Sequence, residues 1–109
     1  MNRLFHMPLS PFCRKVRLVL AEKKIEGELV EERYWLKEPD FMRRNPAGKV
    51  PVLRMGSKTF SESTAICEYL EEIQPEPALL PKSVDRRFET RRLVAWFDDK
   101  FNREVTENL

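Results

Sequence analysis

A hydroxyl and a thiol stand three residues apart in the run Ser10-Pro11-Phe12-Cys13-Arg14. A short apolar segment, Leu4-Phe5-His6-Met7, leads into this run, and the helical spacing of Val16, Val19 and Leu20 leaves it. The pair therefore falls where a strand turns into a helix. Backbone N–H groups at a helix start lack internal partners, and the macrodipole there favours negative charge. Such a place suits a thiolate, because thiols become reactive when their anion is stabilised. Ser10 is also suited to cap the helix, since Ser is a preferred N-cap residue. The two roles can coexist. Cys13 lies one turn inside the helix, where partial burial blunts a thiol. His6, alone on the first strand, reads as a packing residue and is assigned no chemistry.

The chain has 109 residues, enough for one domain with a modest core. Its net charge is +2 with 35% charged residues of mixed sign, so no broad basic face for nucleic acid is implied. Cys13 and Cys67 are its two cysteines. They cannot make a disulfide framework, and no signal-peptide pattern or apolar run of membrane-spanning length is present. A reducing cytoplasmic setting is expected, without membrane partners. Cys67 reads as a small packing residue inside a helix. No repeat, metal-ligand pattern or nucleotide-binding loop is found.

The elements that must position Ser10 and Cys13 follow from periodicity and punctuation. A strand is predicted at residues 3–7 and a helix at 11–24, with Pro11 in its first turn and Gly27 as the stop signal. A short strand follows at 28–31. Residues 34–48 carry Pro39 and Pro46 and read as a loop with one short helix at 40–44. Strands at 52–55 and 58–60 flank the turn signal Gly56-Ser57. A helix at 63–73 puts Ile66, Leu70 and Ile73 on one face, and the proline-rich stretch 74–81 reads as a linker. A long helix is predicted at 85–107, with Asp85 as its N-cap.

This order gives an α/β domain over residues 1–80 and a linker with one further helix over 81–109. In that helix Leu93, Phe97, Phe101 and Val105 recur every fourth position, with Trp96 beside them. So wide an apolar face needs a partner. A truncated protein, or packing of this helix against another chain, is expected.

Three motifs in this order resemble the glutathione transferase family. Ser10-Pro11-Phe12-Cys13-Arg14 is similar to the active-site turn of its serine and cysteine classes. The run from Asn45 through Pro46, Gly48, Lys49, Val50 and Pro51 to Leu53 is similar to the loop carrying the family's cis-proline. Glu62-Ser63-Thr64-Ala65-Ile66 is similar to its glutathione-binding turn from strand to helix. The resemblance implies a thioredoxin-like α/β fold (βαβ-ββα), followed by the first helix of an otherwise missing all-helical domain.

It also implies roles. Ser10 takes the catalytic position, its hydroxyl stabilising the thiolate of glutathione, with Cys13 the second catalytic candidate. Val50, before a cis Pro51, presents its backbone to the cysteinyl unit as an added strand would. Glu62 accepts from the α-ammonium of the γ-glutamyl end, and Ser63, heading a helix, meets its carboxylate. Phe12, Lys49 and Lys37 complete the glutathione-binding set, with Trp35 near the glycine end. The implied protein is a cytoplasmic homodimeric transferase acting on glutathione, its co-substrate, and a small electrophile. Two alternatives stay open. One is a glutaredoxin-like thiol reductase working through Cys13, which needs that thiol exposed. The other is a non-catalytic interaction module on the same fold.

Overall fold

The computed structural model describes residues 2–104, with side chains through residue 100. Alternating side chains split the core between two faces of a sheet. Leu4 and Leu53 point to one face, where Val16, Leu20, Ile66 and Leu70 cover them. Their neighbours Phe5 and Val52 point to the other, against Phe41. The elements are β1 (Asn2–His6), α1 (Pro11–Glu22), β2 (Glu28–Glu31), a 3-10 turn (Tyr34–Leu36), α2 (Pro39–Arg44), β3 (Val52–Met55), β4 (Lys58–Ser61), α3 (Ser63–Ile73) and α4 (Val84–Glu104). The sheet order is β2-β1-β3-β4, with β1 parallel to β2 and the β1–β3 and β3–β4 pairs antiparallel. Helices α1 and α3 lie on one face and α2 on the other. This is the expected thioredoxin-like α/β arrangement.

Several boundaries differ from expectation for identifiable reasons. Met7 lies past the end of β1 and accepts the Ser10 N–H instead of a ladder bond. Helix α1 is closed by Lys24 rather than by Gly27. Lys24 takes a left-handed conformation, φ +56°, while its N–H reaches Ala21 O and the Ile25 N–H reaches Leu20 O. Those two bonds, with Ile25 packed on the cluster containing Leu20, make a Schellman ending. Gly27 instead lies where a Cβ would come within 3.3 Å of Asn2. Ser83, not Asp85, caps α4: its Oγ accepts the Arg86 N–H at 3.4 Å.

The linker is tied down by an unusual lysine. Lys23 is fully buried at the end of α1. Its ammonium donates to Gln74 O at 2.6 Å and Pro77 O at 2.9 Å, and pairs with Glu71 Oε1 at 2.8 Å. The Gln74 amide donates back to Lys23 O at 2.6 Å. Glu71 in turn accepts the Leu79 and Leu80 N–H groups.

Helix α4 packs on α1 and α3 through residues outside its aromatic stripe. Lys15 on α1 pairs with Asp98 at 2.6 Å, and Arg91 pairs with Glu68 on α3. Thr90, Arg91, Val94 and Ala95 face a narrow cleft of about 200 Å³ whose opposite wall includes Val19 and Cys67. Phe88, Trp96 and Phe97 stay exposed, at 67%, 50% and 59%. Leu93 is also exposed. The side chain of Phe101, and all of Val105, lie outside the described residues.

Candidate functional site

Strand register brings three loops to one end of the sheet. Phe5, next to the last residue of β1, pairs with Val52, which opens β3. Val52 pairs in turn with Ser61, which closes β4. The turn after β1, the loop before β3 and the turn after β4 therefore emerge side by side. These carry Ser10, Val50-Pro51 and Glu62-Ser63. The end of β2 belongs to the same edge, since Glu31 pairs with His6, and the segment holding Trp35 and Lys37 leaves from there.

Ser10 is the N-cap of α1, with extended backbone, and its Oγ accepts the Cys13 N–H at 3.3 Å. Capping uses a lone pair and leaves the hydroxyl proton free to be donated elsewhere. An accepted N–H also polarises the hydroxyl and strengthens it as a donor. Phe12 follows Pro11 in the first turn and is half-buried. Cys13 is fully buried, more so than its position one turn inside the helix suggested. Burial pushes the Cys67 thiol up to about 11, so it stays protonated at neutral pH.

The Val50-Pro51 bond is cis, as expected. Val50 packs against Phe5, Phe41 and Val52, and Pro51 is buried. The loop before it is organised by Asn45, whose structural part the sequence reading missed. Asn45 Nδ2 donates to Lys49 O at 2.8 Å, Asn45 Oδ1 accepts the Ala47 N–H, and Asn45 O accepts the Gly48 N–H. Gly48 turns the chain at φ +70°. The Asn-Pro pair was the available signal, because Asn side chains close turns on backbone two residues on. Lys49 itself is exposed.

Glu62, at φ +77°, is the N-cap of α3, and its two carboxylate oxygens accept the Thr64 and Ala65 N–H groups. Ser63 is thus the first helical residue rather than the cap, and it is buried. Each carboxylate oxygen keeps a lone pair for an outside donor. Lys15 on α1 donates to Thr64 Oγ1 at 3.1 Å, tying the two helix starts together. Lys37 is exposed with a left-handed backbone, φ +50°, and Trp35 is exposed beside Tyr34 in edge-to-face contact. The edge thus offers a hydroxyl donor, two helix N-termini, a carboxylate and flanking lysines. That set can receive a ligand that carries both anionic groups and an ammonium. Among the described residues no cluster suited to a metal ion is found, and no helix is long and apolar enough to cross a membrane.

Residues 4–78 match the family described as glutathione S-transferase, N-terminal domain. The chain is 42% identical over 106 residues to FtsZ-localized protein A of Caulobacter vibrioides, covering 94% of this chain and 46% of that one. A crystal structure of a glutathione S-transferase from Rhodospirillum rubrum F11 superposes with a TM-score of 0.93 at 55% identity, covering 98% of this chain and 49% of that one. A glutathione S-transferase from Methylobacterium radiotolerans, solved in complex with glutathione sulfonate, superposes with a TM-score of 0.79 at 40% identity, covering 84% and 43%. The chain spans about half the length of these relatives.

Proposed function

The chain belongs to the glutathione S-transferase family, matching its N-terminal domain over residues 4–78, and from that premise we propose that it binds glutathione and activates the thiol for attack on a small electrophile. The observation that carries this reading is the convergence of Ser10, Val50-Pro51 and Glu62-Ser63 at one sheet edge. Glu62 receives the γ-glutamyl ammonium, and the start of α3 with Ser63 receives the adjoining carboxylate. The Val50 backbone pairs with the cysteinyl unit, with Phe12 and Pro51 shaping the floor. Lys49, Lys37 and Trp35 flank the glycine end. Ser10 donates to the sulfur and stabilises its anion, which attacks the electrophile. The full burial of Cys13 weighs against the thiol-reductase alternative, since that chemistry needs an exposed thiolate. Two free cysteines fit a reducing cytoplasmic setting.

Isothermal titration of the purified chain with glutathione tests the reading. Saturable binding at one molecule per chain is expected, weakened by Glu62→Ala. Absence of heat at millimolar glutathione would favour a second reading, an interaction module without catalysis. The 42% identity with a protein named for its localisation with FtsZ is what recommends that alternative.

The homodimer belongs to the same proposal. Val84, Phe88, Trp96 and Phe97 are all more than half solvent-exposed or at the half mark, from 50% to 81%. Trp96 and Phe97 sit edge to face, 4.8 Å apart, presenting one aromatic patch. Patches of this kind on soluble chains mark interaction surfaces. Self-association through α4 is expected, so the sedimentation coefficient of the chain rises with concentration. The double variant Trp96→Glu/Phe97→Glu stays monomeric across the same dilution series. A parent chain that is monomeric at the highest concentration removes the dimer from the proposal.

A further inference from the structure

The turn that presents Ser10 is held from below by a side chain one further turn along α1. Arg17 Nη2 donates to Pro8 O at 3.1 Å, and Arg17 Nη1 lies 2.9 Å from His6 Nδ1. Within the turn the Ser10 N–H donates to Met7 O at 3.1 Å. One guanidinium thus bridges the last residue of β1 and the middle of the turn that ends at Ser10. The planar guanidinium fork aims one nitrogen at each acceptor. We propose that Arg17 and His6 form a clamp that sets the turn at residues 7–10, making both of them positioning residues for the Ser10 hydroxyl. The proposal rests on Ser10 being the donor to a bound thiol.

The clamp fixes the protonation state of His6. Arginine has only donors and stays charged, so the nitrogen facing it must carry a lone pair. His6 Nδ1 is therefore the acceptor, and the ring proton sits on Nε2 in a neutral imidazole. Protonating Nδ1 would set two N–H groups against each other. Two charged groups act on the ring, Arg17 from α1 and Glu31 from its register position on β2. Burial first, then the Arg17 charge, pull His6 below its ordinary 6.5, with Glu31 opposing. The ring is thus neutral at pH 7 and the clamp closed. As pH falls through the lowered value the imidazole takes a proton, the contact between Arg17 and His6 is lost, and the turn keeps only the Pro8 and Met7 bonds.

Two measurements test this, one without ligand. Nitrogen-15 NMR of the full chain should show His6 neutral with Nδ1 unprotonated at pH 7. Arg17→Met should then speed exchange of the Ser10 amide by about tenfold or more through local opening. The second measurement follows thiolate absorbance of bound glutathione against pH. Arg17→Met should raise the bound thiol pKa by about one unit, a tenfold loss of thiolate at neutral pH. His6→Leu should do the same. His6→Asn, whose Oδ1 can take the place of Nδ1 as acceptor, should recover most of that loss. A folded Arg17→Met chain with the parent's Ser10 exchange rate and the parent's thiol pKa would overturn the clamp. Should the parent chain bind no glutathione, the reading of Ser10 as thiol donor falls, and the ligand-free exchange decides the clamp alone.

Discussion

Replacing Lys23 by methionine is expected to destabilise the fold by about 3 kcal/mol, the lower end of what removing one partner from a buried ion pair costs. The methionine fills the space of the lysine stem, so cavity formation is a small part of the effect. What is lost is the charged partner of Glu71 and the donor to two carbonyls, Gln74 O and Pro77 O. Those groups sit around a side chain with no exposed surface, and buried acceptors without donors lose hydration that nothing replaces. Glu71 keeps the Leu79 and Leu80 N–H groups, which is why the lower end applies. Urea unfolding reads the result. With m-values of about 1–3 kcal/mol/M for small domains, the midpoint should fall by about 1 M or more without a change in m. A midpoint within error of the parent would mean the lysine clasp is dispensable.

Glu71 gives the same clasp a pH signature. Burial pushes its carboxyl up, but the Lys23 hydrogen bond, the two backbone N–H donors and the Lys23 charge outweigh this and leave it below the ordinary 4.5. A folded-state value below the unfolded one means the unfolded chain binds the proton more readily. The contribution of Glu71 is therefore complete above the ordinary carboxylate value. It is lost as pH falls below 4.5 and through the lower folded value. Glu71→Gln should show a smaller loss at neutral pH and a flatter decline of stability in acid.

The parts of the molecule that were legible in the sequence are the ones governed by neighbours in the chain. Pro11 in a first turn, Gly56-Ser57 between two strands, and the period of Ile66 and Leu70 are local signals, and each element formed where they pointed. The three motifs also carried their order, and strand register then put them on one edge. The misread places depend on contacts that no local pattern specifies. Lys23 and Gln74 are 51 residues apart, and nothing in a lysine at a helix end announces burial. His6 and Arg17 meet only because α1 folds back along β1. The stop of α1 went to Lys24 because Ile25 had to reach the core, and Gly27 was needed against Asn2 instead. For α4, the aromatic stripe marked a face in need of cover but did not say which other residues meet the domain. The ion pairs Lys15–Asp98 and Arg91–Glu68 orient the helix so that Thr90 and Val94 face the domain.

Ser10→Ala is expected to raise the pKa of bound glutathione's thiol by about one to two units. A hydrogen bond to a charged group contributes roughly 1.5–3 kcal/mol, and each pKa unit corresponds to about 1.4 kcal/mol. At neutral pH this is a ten- to hundredfold loss of thiolate, read directly as absorbance against pH. The same substitution removes the acceptor of the Cys13 N–H, and loss of a serine cap costs about 1 kcal/mol of stability. The two effects are separable. Ser10→Gly also lacks the hydroxyl, yet glycine is tolerated at an N-cap at a cost of only a few tenths of a kcal/mol. Both variants should therefore raise the thiol pKa alike, while only the alanine variant should unfold clearly more easily. Cys13→Ala touches neither the hydroxyl nor the backbone N–H that it receives, and the thiol it removes has no exposed surface. Its effect on the bound thiol should be the smallest of the three. If Cys13→Ala instead abolished turnover while Ser10→Ala left it intact, the chemistry would run through Cys13, and the thiol-reductase reading would take the place of thiol activation by Ser10.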